Sequence, residues 1–280
     1  MALLGVPALA LALLSSGSTA ALSPARSPNQ AASTFNGASA STNWAGYADT
    51  GATFSNVAGS WTEPTATCPS NASQLAAFWL GIDGYSASDP TLEQIGTDSD
   101  CTKGKGKGSP NSFAGNGNGN GGGKGGGKGK GGPGYYAWYE FYPQPVVFLP
   151  TSTYPVAPGD SINAQVAASG STFTLTLNDT TQGWGFSTNQ NLSPVPAESS
   201  AEWIAESPQA CAKKTCGNAQ LADFGAVTFS GASANGQAIS SPSFTQEQIT
   251  MEKKKGKVKK AQPSALSGGG AAFTVTWDHS

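Results

Sequence analysis

Five polar side chains stand out because of what surrounds them. Asp83 lies in Phe-Trp-Leu-Gly-Ile-Asp-Gly, Gln94 in Leu-Glu-Gln-Ile-Gly, Glu140 in Tyr-Tyr-Ala-Trp-Tyr-Glu-Phe-Tyr-Pro, and Glu202 and Glu206 in Ala-Glu-Trp-Ile-Ala-Glu. A carboxyl beside tryptophans and tyrosines is partly desolvated, which raises its pKa and suits it to general acid–base work in acidic medium. On a strand, residues an even number apart share a face, so Glu202, Ile204 and Glu206 point one way and Trp203 and Ala205 the other. The bland alternative is a set of edge carboxylates on a solvated face.

Other chemistries lack parts. The single histidine, His279, is the penultimate residue, so Ser-His-Asp, Cys-His and multi-histidine metal machinery cannot be assembled, and no metal site is expected. Asp49-Thr50-Gly51 occurs once, whereas an aspartic peptidase built from one chain needs two such loops sharing a proton; Asp-Thr-Gly is also an ordinary turn. Asp223-Phe224-Gly225 has no kinase partner motifs and reads as the approach to a strand. The four cysteines have no base to activate them as nucleophiles and no CxxC spacing for metal. They are expected to pair locally, as Cys68–Cys101 and Cys211–Cys216.

The elements that must position these groups are short and strand-like. Runs rich in Val, Thr, Phe, Tyr and Trp cover 43–48, 57–63, 75–83, 92–96, 135–142, 161–168, 172–178, 202–206, 222–229 and 271–277, with turn residues between them. No long 3.6-residue stripe interrupts them, so the fold class is all-β, an antiparallel sandwich or barrel. With 280 residues and 38% apolar content, the chain can fill a substantial core.

Residues 1–20 form an apolar run followed by small residues and are expected to be a signal peptide, which implies secretion. Residues 21–41 are Ser/Ala/Pro-rich and read as a leader or linker with nothing folded in it. The domain is expected over 42–280. It is interrupted by a Gly/Lys-rich insertion, 103–134, that cannot bury a core, and by a Lys-rich run, 252–260, that tips a hairpin as a solvated loop. Those two stretches hold twelve of the 15 basic residues, six each; setting them aside leaves 3 basic and 16 acidic residues, a net of −13. Such a body repels itself at neutral pH and is relieved in acid. The lysine runs lack interleaved aromatics and no nucleic-acid fold surrounds them. Nothing calls for a nucleic-acid partner, a membrane span or more than a monomer.

Asn43-Trp44-Ala45-Gly46, Phe78–Gly84, Leu92–Gly96, Ala137–Pro143 and Ala201–Glu206 occur in the order and approximate spacing of the glutamic peptidase (eqolisin) family, and 223–229 and 273–277 extend the match. The sequence resembles a secreted, bacterial-type member over 42–278. The resemblance implies two long, curved antiparallel sheets packed as a concanavalin- or lectin-like β-sandwich, and an acid-acting endopeptidase on protein or peptide substrates without metal or cofactor. By motif, the family's catalytic pair falls on Gln94 and Glu206. Trp44, Trp79, Asp83, Trp138, Glu140 and Tyr142 resemble the residues that line and support the cleft, with Glu140 and Asp83 fixing the pair. Tyr136 stands where some members carry aspartate. Two other readings remain: a non-catalytic sandwich that stacks carbohydrate or peptide on the same aromatics, and a surface adhesion protein acting through its lysine runs.

Overall fold

A computed structural model describes residues 33–35, 38–69, 72–86, 89–101, 133–212, 215–253 and 258–280; the expected signal peptide and nearly all of the Gly/Lys-rich insertion lie outside these residues. Two short strands, β1 (Ser33–Phe35) and β2 (Ala38–Ser41), precede β3 (Trp44–Thr50), β4 (Asn56–Thr62), β5 (Ala77–Ile82) and β6 (Leu92–Cys101). Next come β7 (Pro133–Tyr142), β8 (Val147–Phe148), β9 (Ser161–Ser169), β10 (Thr172–Asp179), β11 (Trp184–Asn191) and β12 (Ser200–Glu206). A hairpin of β13 (Gln209–Ala212) and β14 (Thr215–Asn218) leads to β15 (Ala226–Ala234), β16 (Gln237–Ala238), β17 (Thr245–Lys253), β18 (Val258–Pro263) and β19 (Phe273–Trp277). There is no α-helix among the described residues.

The strands form an all-β sandwich. One layer runs β8-β7-β6-β5-β12-β3-β17, all antiparallel. The other runs β11-β10-β9-β4-β15-β19, and β18 pairs with both β19 and β17, joining the layers along one side. Alternation decides what lies between them. Phe78, Leu80, Ile82, Ile95, Ala201 and Trp203 of the first layer share one core with Trp61, Val166, Phe173, Leu175, Phe229 and Phe273 of the second.

The layers differ in their outer faces. β10 alternates between fully and half-buried residues, as a sheet with one wet face should, but every residue of β5, β6 and β12 is buried. The outer face of the first layer therefore carries its own apolar cluster, built on Trp44, Trp79, Leu92, Trp138, Ile204 and Ile249. That face holds the candidate site.

All ten expected strands are present, some shifted by a few residues. The expected leader is partly structured instead: Ala38–Ser41 forms β2, because its backbone adds in parallel to Gln248–Met251 of β17. β6 and β7 pair directly from Leu92↔Tyr142 to Cys101↔Pro133, so the Gly/Lys-rich insertion is the connection of a hairpin. Its last residues, Pro133 and Gly134, already belong to β7. The Cys68–Cys101 disulfide forms as expected and ties the end of β6 to the segment after β4. Cys211 and Cys216 are direct register partners in the β13–β14 hairpin; their side chains lie outside the described residues.

Candidate active site

The antiparallel registers align three rows across the outer face of the first layer. Glu140, Gln94, Gly81, Glu202 and Ala48 form one; Trp138, Gly96, Trp79, Ile204 and Gly46 the next; Tyr136, Asp98, Ala77, Glu206 and Trp44 the third. Each row sets a small residue, Gly81, Gly96 or Ala77, between two larger ones. Trp79 thus stands at the centre, with Gln94 one row to one side and Glu206 one row to the other, on opposite neighbouring strands. The approach is tight: a Cβ on Gly96 would meet the Phe78 carbonyl oxygen at 2.2 Å and Trp79 Cβ at 2.6 Å.

Each polar group has defined partners. Gln94 Nε2 donates to Glu140 Oε2 at 2.6 Å, directly across the β6–β7 pair. That bond orients the amide and leaves Gln94 Oε1, which is buried, without a protein donor. Glu206 accepts twice: Trp79 Nε1 donates to Oε2 at 2.8 Å, and Asn43 Nδ2 to Oε1 at 3.3 Å. Trp44, opposite Glu206 in register, packs edge-on against Trp79 with ring centroids 5.0 Å apart. Gln94 and Glu206 are each only 1% exposed, so solvent has little access to either.

Of the residues singled out in the sequence, Trp44, Trp79, Gln94, Trp138, Glu140 and Glu206 meet on this face, and half-buried Tyr142 packs at its edge. Asp83 does not join them. β5 ends at Ile82, Asp83 takes a left-handed φ of 72°, and its carboxyl turns to the loop before β12. There it accepts from the backbone N–H groups of Glu198 at 2.9 Å and Ser199 at 2.6 Å. Asp83 therefore fixes the entry to the Glu206 strand and makes no contact with the pair. Burial, with Asp89 alongside, pushes its carboxyl up. The Tyr136 hydroxyl, where some family members carry aspartate, donates to Asp100.

Two further residues take part in the surroundings of this face. Asn43 lies 163 positions from the glutamate it holds, and only its place beside Trp44 hinted at a role. Glu202 shares the outer face with Glu206 on β12. It is 0% exposed, sits across Gly81 from Gln94, and neither carboxyl oxygen has a hydrogen-bond partner. Desolvation, then the nearby Asp83, Asp89 and Glu93, raises its pKa well above the ordinary glutamate value. Asp49 of the Asp-Thr-Gly sequence is buried with both oxygens unpartnered, and its burial pushes it up to about 8.

Fold and site together define a β-sandwich enzyme whose polar groups are carboxyls and a carboxamide set among tryptophans. The model of the peptidase A4 family matches residues 42–114 and 120–277. Among solved structures, scytalido-glutamic peptidase with a transition state analog inhibitor is similar at 23% identity and a TM-score of 0.61, over 85% of this chain and 98% of that one. SCP-B, an eqolisin crystallised with the tripeptide Ala-Ile-His, is similar at 21% identity and a TM-score of 0.53, over the same shares. No curated protein sequence matches. The chain belongs to the peptidase A4 family, the eqolisins, and is a glutamic endopeptidase acting on protein or peptide substrates.

Proposed function

We propose that the protein is a secreted acid endopeptidase in which Glu206 and Gln94 activate a water molecule against a peptide carbonyl. The observation that carries this reading is the division of hydrogen bonds: Glu206 is an acceptor held by two N–H donors, while Gln94 has its nitrogen tied to Glu140 and its oxygen unclaimed. A water between them could donate to both the Glu206 carboxylate and Gln94 Oε1. Glu206 then removes a proton as the water oxygen attacks.

The second N–H of the Gln94 amide is a donor for the developing oxyanion, and a neutral donor does not repel the attack. Protonated Glu206 next delivers its proton to the leaving nitrogen, so one carboxyl acts as base and then as acid. Trp44 and Trp138 supply apolar walls, which suits large apolar or aromatic substrate side chains. Export follows from the character of residues 1–20, and action in acid from the acidic body and the buried carboxyls of raised pKa.

The test is hydrolysis of a denatured protein across pH 2 to 8, with a chelator and a serine-peptidase inhibitor present. E206Q and Q94A are compared with wild type at matched folded concentration. Activity confined to acid and abolished in E206Q, with Q94A reduced by about 100-fold or more as for loss of an oxyanion donor, is the expected result. Full activity in either variant would overturn the pair.

A further inference from the structure

The Lys-rich run that reads as a solvated loop ends in a residue that is not solvated. Lys259 is exposed and bonds Gln262, but Lys260 is only 1% exposed. The cause is a bulge. Met251 of β17 faces Ala261 and Glu252 faces Lys259, so Lys260 is the extra residue on β18, and a bulge re-aims its side chain. Its carbonyl accepts from the backbone N–H groups of Asp278 at 2.8 Å and His279 at 3.0 Å, which fixes the kink.

The strand opposite this bulge reaches the segment that holds Glu206. Met251 is also the register partner of Ser41. Ser41 Oγ accepts from the Trp44 backbone N–H at 3.1 Å and donates to Asn43 Oδ1 at 3.2 Å; Asn43 bonds Glu206, and Trp44 faces it in register. β18 packs directly on β3, whose first residue is Trp44. We propose that Lys260 is a positioning residue for the catalytic carboxylate: its buried ammonium holds Glu206 ionised in acid, so that Glu206 serves as a base where an ordinary glutamate would be protonated.

The electrostatics of the corner agree. Burial lowers the Lys260 pKa most, Lys253 of β17 lowers it further, and Glu206 raises it, leaving it at about 8. Lys260 is thus a cation throughout the acidic range. Asp98 of β6, across Ala77 from Glu206, is the acid facing the same row from the other side, and its charge when ionised opposes ionisation of Glu206. A buried cation beside a carboxylate lowers the carboxylate's pKa by about 1–3 units.

The inference rests on Glu206 being the base, and the experiment separates the two. Profiles of kcat/KM against pH are recorded for wild type, K260M, K260R and E206Q, with Tm for each. The acid limb of K260M is expected to move up by about 1 pH unit or more, K260R to keep it near wild type, and E206Q to be inactive. A folded K260M with an unmoved limb overturns the role of Lys260 while E206Q still supports the base; an active E206Q overturns the base itself. Wild type gives an independent reading by 13C NMR titration of its glutamate carboxyls, with E206Q identifying the resonance. A Glu206 midpoint below about 4.3 is expected, and one at or above it overturns the proposal even if K260M does not fold.

Discussion

Trp79 joins packing to chemistry in one side chain. Its ring fills the centre of the outer apolar cluster, and its N–H orients Glu206. W79F keeps most of the ring and removes the donor. A hydrogen bond to a charged group contributes about 1.5–3 kcal/mol, so kcat is expected to fall roughly 10- to 100-fold while Tm moves by only a few degrees; steady-state kinetics and thermal unfolding check both. Glu140 bonds Gln94, the other member of the proposed pair. E140A removes the acceptor that orients the Gln94 amide, and E140Q retains an oxygen that can accept. The expected order of kcat is wild type, then E140Q, then E140A, with E140A reduced roughly 10-fold or more; equal activity in all three would mean that Glu140 does not set the amide.

At the scale of the strands, the site depends on close approach of β5 and β6. A methyl at Gly96 would collide with a backbone carbonyl, which cannot rotate away, and with the Cβ of Trp79. G96A is therefore expected to cost about 1–3 kcal/mol in stability and at least 10-fold in kcat. G217A, where an added Cβ meets nothing within 4 Å, is the control and should alter neither. The same scale explains what the sequence disclosed. Strands such as Phe78–Ile82 and Ala201–Glu206 were legible because their aromatic and β-branched content is high and both faces are buried. β11, Trp-Gly-Phe-Ser-Thr-Asn-Gln-Asn, was not, since it alternates between half-buried and exposed residues and reads as a polar turn. β17 and β18 were legible only as the hairpin that the Lys-rich run tips, and the burial of Lys260 was not legible at all. Gln94, Glu140 and Glu206 were legible through local motifs. Asn43 reaches the site only through tertiary contact, and the left-handed turn at Asp83 directs to the loop before β12 a carboxyl expected to help fix the pair.

Over the whole molecule, buried acids set how stability changes with pH. Glu93 and Asp49 lie on the inner face at the same end of the first layer, in a row Glu93, Ile82, Ala201, Asp49. No carboxyl oxygen of either has a hydrogen-bond partner. Desolvation pushes Glu93 up to about 9 and Asp49 to about 8, and it raises Glu202 as well. In the unfolded chain such groups ionise near about 4. Below that pH both states hold the protons and stability is full. As pH rises from about 4 towards 8 or 9, the unfolded chain releases protons that the fold retains, and stability falls continuously. Self-repulsion of a body with a net charge of −13 outside the lysine runs acts in the same direction. Denaturant unfolding at pH 3.5, 5.5 and 7.5 should thus give a midpoint that decreases at each step. D49N and E93Q should each flatten that slope, gaining more relative to wild type at pH 7.5 than at pH 3.5. A wild-type midpoint that is highest at pH 7.5 would show that these carboxyls are ionised in the fold. With the expected sign, neutral pH opposes the enzyme by loosening the sandwich.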